Sequence, residues 1–413
     1  MTKLGVWFLG LGFVFMVALG CSGSGGDSSG KTVVQFWQFW PTETLEPIIT
    51  DFEAKHPSID VEMQQLTWAS GLEKITAAVA AGQPPDLCEL GSTWFAKFAS
   101  TGTLADVSTT AAELESQYLM WDACRYDGKT YGLPWLTGTR ALFFNKSLLQ
   151  EAGFASDEAL KTWSDLIRVA QAIHNPTDQV YGYGLNSGER YIQFKKFMPY
   201  AWGNGGRVLS EDGKQCTINS PQVLEALRFY LELKESALVE KQEVLDQAFK
   251  DGRLGLMVSG AWMLRTIPKD APELDFGVAL VPRPAADKGT HASFGGGELL
   301  VTFGRSKEKE AALTLAKYLM EVDQAMAVAR VQQSVLPAAL GANKDPFFTE
   351  NPMQGVFLEQ LETAVFPPNH ALWVEIEDVV DSWIEKAVYG KETPEKALNQ
   401  ACKEIDALLA RQR

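Results

Sequence analysis

The chain has 413 residues, of which 22% are charged, with 52 Asp and Glu against 37 Lys and Arg for a formal net charge of −15. That acidic balance argues against a nucleic-acid partner. The length exceeds what one hydrophobic core organises and predicts two or three domains.

The chain opens on "MTKLGVWFLGLGFVFMVALG", with one charge at Lys3 and then an apolar run from Leu4 to Leu19. This matches a secretory leader. At ~1.5 Å per residue the run makes roughly 24 Å of helix, short of the ~30 Å hydrocarbon core, so residues 1–20 are predicted to be a removed leader rather than a permanent span. Gly20-Cys21 resembles the lipobox of bacterial lipoproteins, which implies a lipid on Cys21 and an extracytoplasmic, membrane-anchored protein. Ala18 and Leu19 stand in swapped order relative to that pattern, and cleavage to a secreted form is the alternative. Without residues 1–20 the count is 36 Lys and Arg against 52 acids, a net of −16. Residues 21–31 read as a flexible Gly/Ser tether. Gly25 to Thr32, "GGDSSGKT", formally matches a phosphate-binding loop. The mechanism needs a strand before the glycines and a helix after them, and both neighbours are wrong here.

Strand and helix then alternate. "TVVQFWQF" is β-rich, "TETLEPIITDFEAKHP" sets Leu45, Ile48, Ile49 and Phe52 at helical spacing with Pro47 in the first turn, and "IDVEM" is a strand. A helix "GLEKITAAVAAG" closes on Gly82, and "PPDLCEL" is the next strand. The alternation predicts an α/β fold on a mainly parallel sheet with helices on both faces. In such sheets ligands sit beyond the carboxyl ends of the strands, which points to Gln38 and Trp40 after the first strand and to Ser92 and Trp94 after the third. Cys88 and Cys402 read as small core residues. If any bridge forms among Cys88, Cys124, Cys216 and Cys402, the favoured pair is Cys124 with Cys216, and free buried thiols throughout are the equal alternative.

The ordered set "QFW", "FEAKHPSIDVE", "ITAAVAAGQPPDL", "YGLPW", "ALFFNKSLLQEAGF", "KTWSDL", "AWGNGGRVLSEDG", "VSGAWM", "FGVALVPRP", "FGGGELLVTFGRSKEKEAALTLAKYL", "SVLPA" and "GKETPEKALNQACKEI" resembles the extracellular solute-binding proteins of sugar ABC importers, the family of maltose-binding protein. The resemblance covers nearly the whole chain after the leader. It implies a two-lobe periplasmic-binding-protein-like fold with three hinge crossings and a ligand cleft. The crossings map to "WLTGTRAL", "SFGGGELL" and "QQSVLPA". The N-lobe is then expected at 32–137 plus 299–332, and the C-lobe at 138–298 plus 333–413. Gly295, Gly296 and Gly297 suit a hinge, or equally a bulged strand. The implied partners are a carbohydrate ligand and ABC permease subunits, with no cofactor and a monomeric state.

The residues themselves favour a sugar, whose apolar C–H faces and hydroxyl belt suit aromatic platforms flanked by polar groups. Trp262 and Trp373 match positions where family members stack a sugar face, and Trp40, Trp94, Trp135 and Trp202 lie at strand ends or beside glycines. Trp68, Trp121, Trp163 and Trp383 read as packing residues. Gln38, Glu43, Arg140, Gly296 and Glu298 complete the candidate set. Arg140 is ambiguous between a structural salt bridge, a sugar hydroxyl and an anionic ligand such as a sugar phosphate or acidic sugar. An anchored carbohydrate hydrolase is the rival class. The sequence lacks a G-x-S-x-G elbow, H-E-x-x-H and C-x-x-C, and its four histidines have no metal-ligand spacing.

Overall fold

The computed structural model describes residues 30–155 and 157–411. The leader, Cys21 and the tether up to residue 29 lie outside the described residues, as does most of the "GGDSSGKT" stretch. The first unit follows the predicted alternation: strand β1 (Thr32–Gln38), helix α1 (Thr42–Lys55), strand β2 (Ile59–Gln65), helix α2 (Gly71–Ala80), strand β3 (Leu87–Gly91) and helix α3 (Ser92–Ala99). In α1 the apolar stripe Leu45, Ile48, Ile49 and Phe52 is buried, as its spacing requires. The helix starts at Thr42, which leaves Pro47 beyond the first turn. Asp86 ties the entry to β3: its Oδ2 accepts the Gln35 N–H at 2.9 Å and its Oδ1 the Ser306 hydroxyl at 2.6 Å.

β1 lies between β2 and β3, parallel to both, in the registers Thr32↔Ile59 and Phe36↔Leu87. The centre of the sheet is antiparallel, unlike the mainly parallel sheet expected, because two long strands run in opposite directions between the halves of the molecule. The outgoing strand is Leu133–Asn145 and the return strand Ser293–Thr302. They pair with each other at Gly296↔Gly138, and the return strand also pairs with β3 at Glu298↔Gly91. A register shift between Glu298 and Leu299 marks a bulge. Beyond the outgoing strand the sheet continues through Leu254–Gly260, Tyr181–Asn186 and Ala237–Glu240. A short strand, Leu336–Pro337, returns to the outgoing strand at Leu336↔Thr137.

The buried apolar residues fall into separate clusters. The first holds Val34 to Leu136 and Leu299 to Phe348, the second Leu142 to Val281 and Trp373 to Leu409, and a smaller third forms around Phe143, Phe249 and Phe357. Between Leu136 and Ala141 the outgoing strand passes from the first cluster to the others. The first cluster also takes Val335, Leu336, Ala342 and Phe348, because the pairing at Leu336↔Thr137 keeps that segment beside the first sheet. The helix Trp373–Val388, here called the bridging helix, joins both clusters: Trp373 and Ile376 belong to the second and Val374 to the first.

Candidate ligand-binding site

The groove between the two main cores is built at strand ends. β1 finishes on Gln38, whose side chain is fully buried while neither its amide oxygen nor its amide nitrogen is hydrogen-bonded within the protein. The next N–H, of Phe39, donates to Glu89 Oε2 at 2.8 Å, so a β3 carboxylate holds the loop that leaves β1. The second oxygen, Glu89 Oε1, has no protein partner. Phe39 stacks on Trp68 at 4.2 Å, and Trp94 meets both rings, at 5.9 and 5.3 Å. Trp68 is exposed at the open end of this pile, and the indole N–H groups of Trp40 and Trp94 are buried without acceptors.

The crossing strands supply charge. Arg140, opposite Gly260 in the sheet, holds its guanidinium carbon 4.8 Å from the Trp262 ring centre and 5.8 Å from that of Phe294. Its Nη1 donates to the Thr139 carbonyl at 3.1 Å, and its Nε is buried without a partner. Trp262 lies flat against Gly260, where an added Cβ would fall 1.8 Å from the ring, and its N–H donates to Asp246 Oδ2 at 3.0 Å. Lys196 Nζ is 5.6 Å from the same indole and donates to the Val258 carbonyl at 2.8 Å, while Lys195 Nζ is 5.3 Å from the Phe294 ring. Facing these, Glu298 Oε2, both oxygens of Glu377 and Asp381 Oδ1 have no protein partner.

Burial pulls every one of these groups toward its neutral form. It pushes Arg140 down to about 10, against the pull of Glu298 and Asp246. It takes Lys196 to about 7, helped by the positive charge of Arg140, and lowers Lys195. Burial raises Glu298 to about 7 although Arg140 and Lys195 oppose it, and Glu377 likewise to about 7 against Lys195. Glu89 and Asp381 rise further, burial again being the main cause and a neighbouring carboxylate the second.

These shifts give the ligand-free protein a defined pH response. Glu298 and Glu377 keep their protons in the fold up to about pH 7, whereas in the unfolded chain they ionise around their ordinary 4.5. Between those values the native state binds more protons, so stability that is full below pH 4.5 is lost as pH rises through 7. Lys196 has the opposite sign and adds stability only above pH 7. The expected result is a melting midpoint several degrees higher at pH 5.5 than at pH 7.5, with the difference reduced in Glu298→Gln. Identical midpoints in wild type at the two pH values would contradict the burial of these carboxyls.

Several predicted residues gather here: Gln38, Trp40, Trp94, Arg140, Trp262 and Glu298. Gly296 joins them through its backbone. Its carbonyl accepts the Thr137 hydroxyl at 2.9 Å, and a Cβ on it would come within 2.7 Å of the Phe294 ring. Trp202 is half-buried and Trp373 is 2% exposed. Both lie edge-on to Phe194 at 5.7 Å, and the Trp373 N–H has no acceptor. Two residues are not brought to the groove. Trp135 is 1% exposed inside the first core with its indole N–H donated to the Leu319 carbonyl at 2.9 Å, and Glu43 is solvent-exposed in the first turn of α1. Phe39, Lys195, Lys196, Asp246 and Glu377 enter the site without having been singled out, and Trp68, read from the sequence as a packing residue, stands exposed against Phe39 and Trp94. The clearest sequence signal among them is Trp373, Glu377, Asp381 and Ile384, one helical face on which two acids interrupt an apolar stripe.

Across the groove α3 meets the bridging helix through the ion pair Lys97–Glu375, 2.6 Å long. Beside Trp262 an open depression of about 680 Å³ is lined by Glu189, Gln242 and Asp246 among others. No helix among the described residues is long and apolar enough to cross a membrane.

Two cores joined by strands that run through both, with unpartnered polar atoms and aromatic rings facing the space between them, define a two-lobe α/β binding protein. The chain belongs to the bacterial extracellular solute-binding protein family, whose model matches residues 40–326. A binding protein of Brucella abortus is 28% identical over 375 residues, 88% of this chain and 89% of that one. Among solved structures, an ABC transporter solute-binding protein from Thermotoga lettingae bound with α-D-tagatose is 27% identical with a TM-score of 0.83, covering 92% of this chain and 100% of the other. The substrate-binding protein Lmo0181 from Listeria monocytogenes in complex with cycloalternan is also 27% identical, with a TM-score of 0.81 and 92% and 99% coverage.

Proposed function

We propose that the protein captures a neutral carbohydrate, a di- or oligosaccharide, by closure of two lobes and delivers it unchanged to the permease subunits of an ABC importer. The lobes are 32–137 with 299–348 and 138–298 with 349–413, the expected boundary at 332 being moved because Val335, Leu336, Ala342 and Phe348 pack in the first core. A lipid on Cys21, outside the described residues, anchors the monomer on the outer side of a bacterial membrane. The observation that carries this reading is the mixture of unpartnered groups on both sides of the groove. Donors on Gln38, Trp40, Trp94 and Arg140 stand with acceptors on Gln38, Glu89, Glu298 and Glu377. A hydroxyl both donates and accepts, so a polyol satisfies such a set, and its C–H faces match the exposed aromatic surface. The sugars held by the Thermotoga and Listeria relatives support the same class.

A sugar phosphate read by Arg140 is the second reading, and the same site weighs against it. The Arg140 guanidinium already lies beside two aromatic rings and near Glu298 and Asp246, and the buried lysines that could assist it in holding an anion are themselves drawn toward their neutral form. Thermal unfolding of ligand-stripped protein against neutral sugars, sugar phosphates and uronic acids separates the readings. Ligand at 100 times its Kd adds about 2.7 kcal/mol. A shift with a neutral sugar that is recovered intact supports import. A shift with anions alone would replace the neutral ligand, and a cleaved sugar would make the protein an enzyme.

Closure gives a smaller prediction. Lys97→Ala removes the α3 partner of Glu375 and should weaken sugar binding about two- to fivefold at low salt, through faster release. At 1 M salt the wild type and the variant should converge, since the Debye length falls to about 3 Å. A persistent gap would mean that Lys97 acts through packing.

A further inference from the structure

The four described cysteines carry free thiols, and only two of them are neighbours. Cys124 is buried in the first core while Cys216 packs against the second, so the pair favoured by the sequence is held apart. Cys88 is fully buried in β3 with its thiol turned to the Glu89 carbonyl at 3.0 Å. Cys216 and Cys402, by contrast, come together at the second core, where each thiol perturbs the titration of the other. The surroundings fix this contact from both sides. Cys402 lies on the C-terminal helix Pro394–Ala410, one face of which is stitched to the 216–219 loop. Asp406 Oδ1 accepts the Cys216 N–H at 2.9 Å, and Asn219 Nδ2 donates to Asn399 Oδ1 at 3.0 Å. Residues 399, 402 and 406 fall on adjacent turns of that helix, so Cys402 lies on the stripe between the two hydrogen-bonded residues.

We propose that Cys216 and Cys402 form a disulfide in the mature protein, a covalent clamp between the C-terminal helix and the loop that begins at Cys216. The two cysteines lie on segments whose backbones and side chains are already tied together by Asp406 and Asn219. Membership of an extracellular family puts the chain in a compartment where such bonds persist. The oxidant is a disulfide-bearing thiol oxidase. The thiolate of Cys216, the more exposed of the two, attacks that disulfide and releases one thiol; Cys402 then attacks the mixed disulfide and releases the second. Two protein S–H bonds become one S–S bond, and two electrons and two protons leave on the oxidant's thiols. Burial raises both thiols in the fold, so the exchange is slow once the helix has docked. The bond involves none of the residues assigned to the groove, and its absence is expected to leave ligand binding unchanged.

The test uses the full chain exported by a bacterial host, denatured, blocked with N-ethylmaleimide and digested with trypsin. The expected product joins the peptides Gln215–Arg228 and Ala397–Lys403, and it separates on reduction. Recovery of both peptides as maleimide adducts, or a link from either to Cys88 or Cys124, would overturn the proposal. Reducing the native wild type should lower its melting midpoint by about 5 °C or more, whereas Cys216→Ser should not respond. An equal response in Cys216→Ser would also overturn it.

Discussion

Replacing Trp262 with alanine is expected to weaken sugar binding about a hundredfold or more, or ~2.7 kcal/mol. The indole does three things at once. It covers Gly260, it faces the Arg140 guanidinium at 4.8 Å, and its N–H takes one oxygen of Asp246. Truncation removes apolar surface from the groove and leaves a buried arginine and a buried aspartate facing a hole. Trp262→Phe separates the contributions, because it keeps a ring against Gly260 and loses only the hydrogen bond to Asp246. Its loss should be nearer tenfold. Calorimetric titration with the sugar identified by thermal shift, together with circular dichroism to show an intact fold, decides the matter. Affinity of the folded Trp262→Ala protein within threefold of wild type would remove Trp262 from the site.

The second large effect concerns the hinge. Gly297→Ala should lower the melting midpoint by at least 5 °C, with a cost near or above the ~3 kcal/mol upper end for overpacking. A Cβ at this position would lie 2.1 Å from the Met120 methyl carbon and 2.6 Å from the Leu136 carbonyl oxygen. The methionine can swing away. The carbonyl belongs to the outgoing strand, paired with Gly297 one residue further on, so relief requires the two crossing strands to part. Gly355→Ala is the control. That glycine sits in a helix with nothing within 4 Å of the added carbon, so the change should be neutral or stabilise by up to ~1 kcal/mol. If the two substitutions behave alike, the close strand approach at Gly297 is not what the hinge requires.

The first half of the sheet was legible because local signals agree there. β1, α1, β2, α2 and β3 carry the right periodicities, and burial in α1 follows its stripe residue by residue. The antiparallel centre was not legible, since the direction of a crossing strand depends on where the chain goes next and not on its own residues. Of the candidate site, strand ends and glycine neighbours pointed to Gln38, Trp40, Trp94, Arg140 and Glu298 as residues beside the groove. Trp135 misled: "GLPW" looks like a loop, yet its indole finds the Leu319 carbonyl 184 residues away. Lys195 and Lys196 were missed for the converse reason. Nothing local in "QFKKFMPY" marks the two lysines, and only the packing of that helix against the return strand and Val258 buries the ammonium groups.

The return strand has a consequence for the order of folding. It sits between β3 and the outgoing strand, yet it is made about 200 residues after β3 and about 150 after the outgoing strand. Until the ribosome has passed residue 302, β3 has an unpaired edge and the first core lacks Leu299, Leu300 and Val301. A nascent N-terminal segment therefore cannot finish its own sheet, and the contacts that complete it are among the most distant in the chain. Such contacts form slowly. The chain accordingly emerges as a long, incompletely folded polypeptide, and the first sheet gains its return strand only after most of the chain has been made.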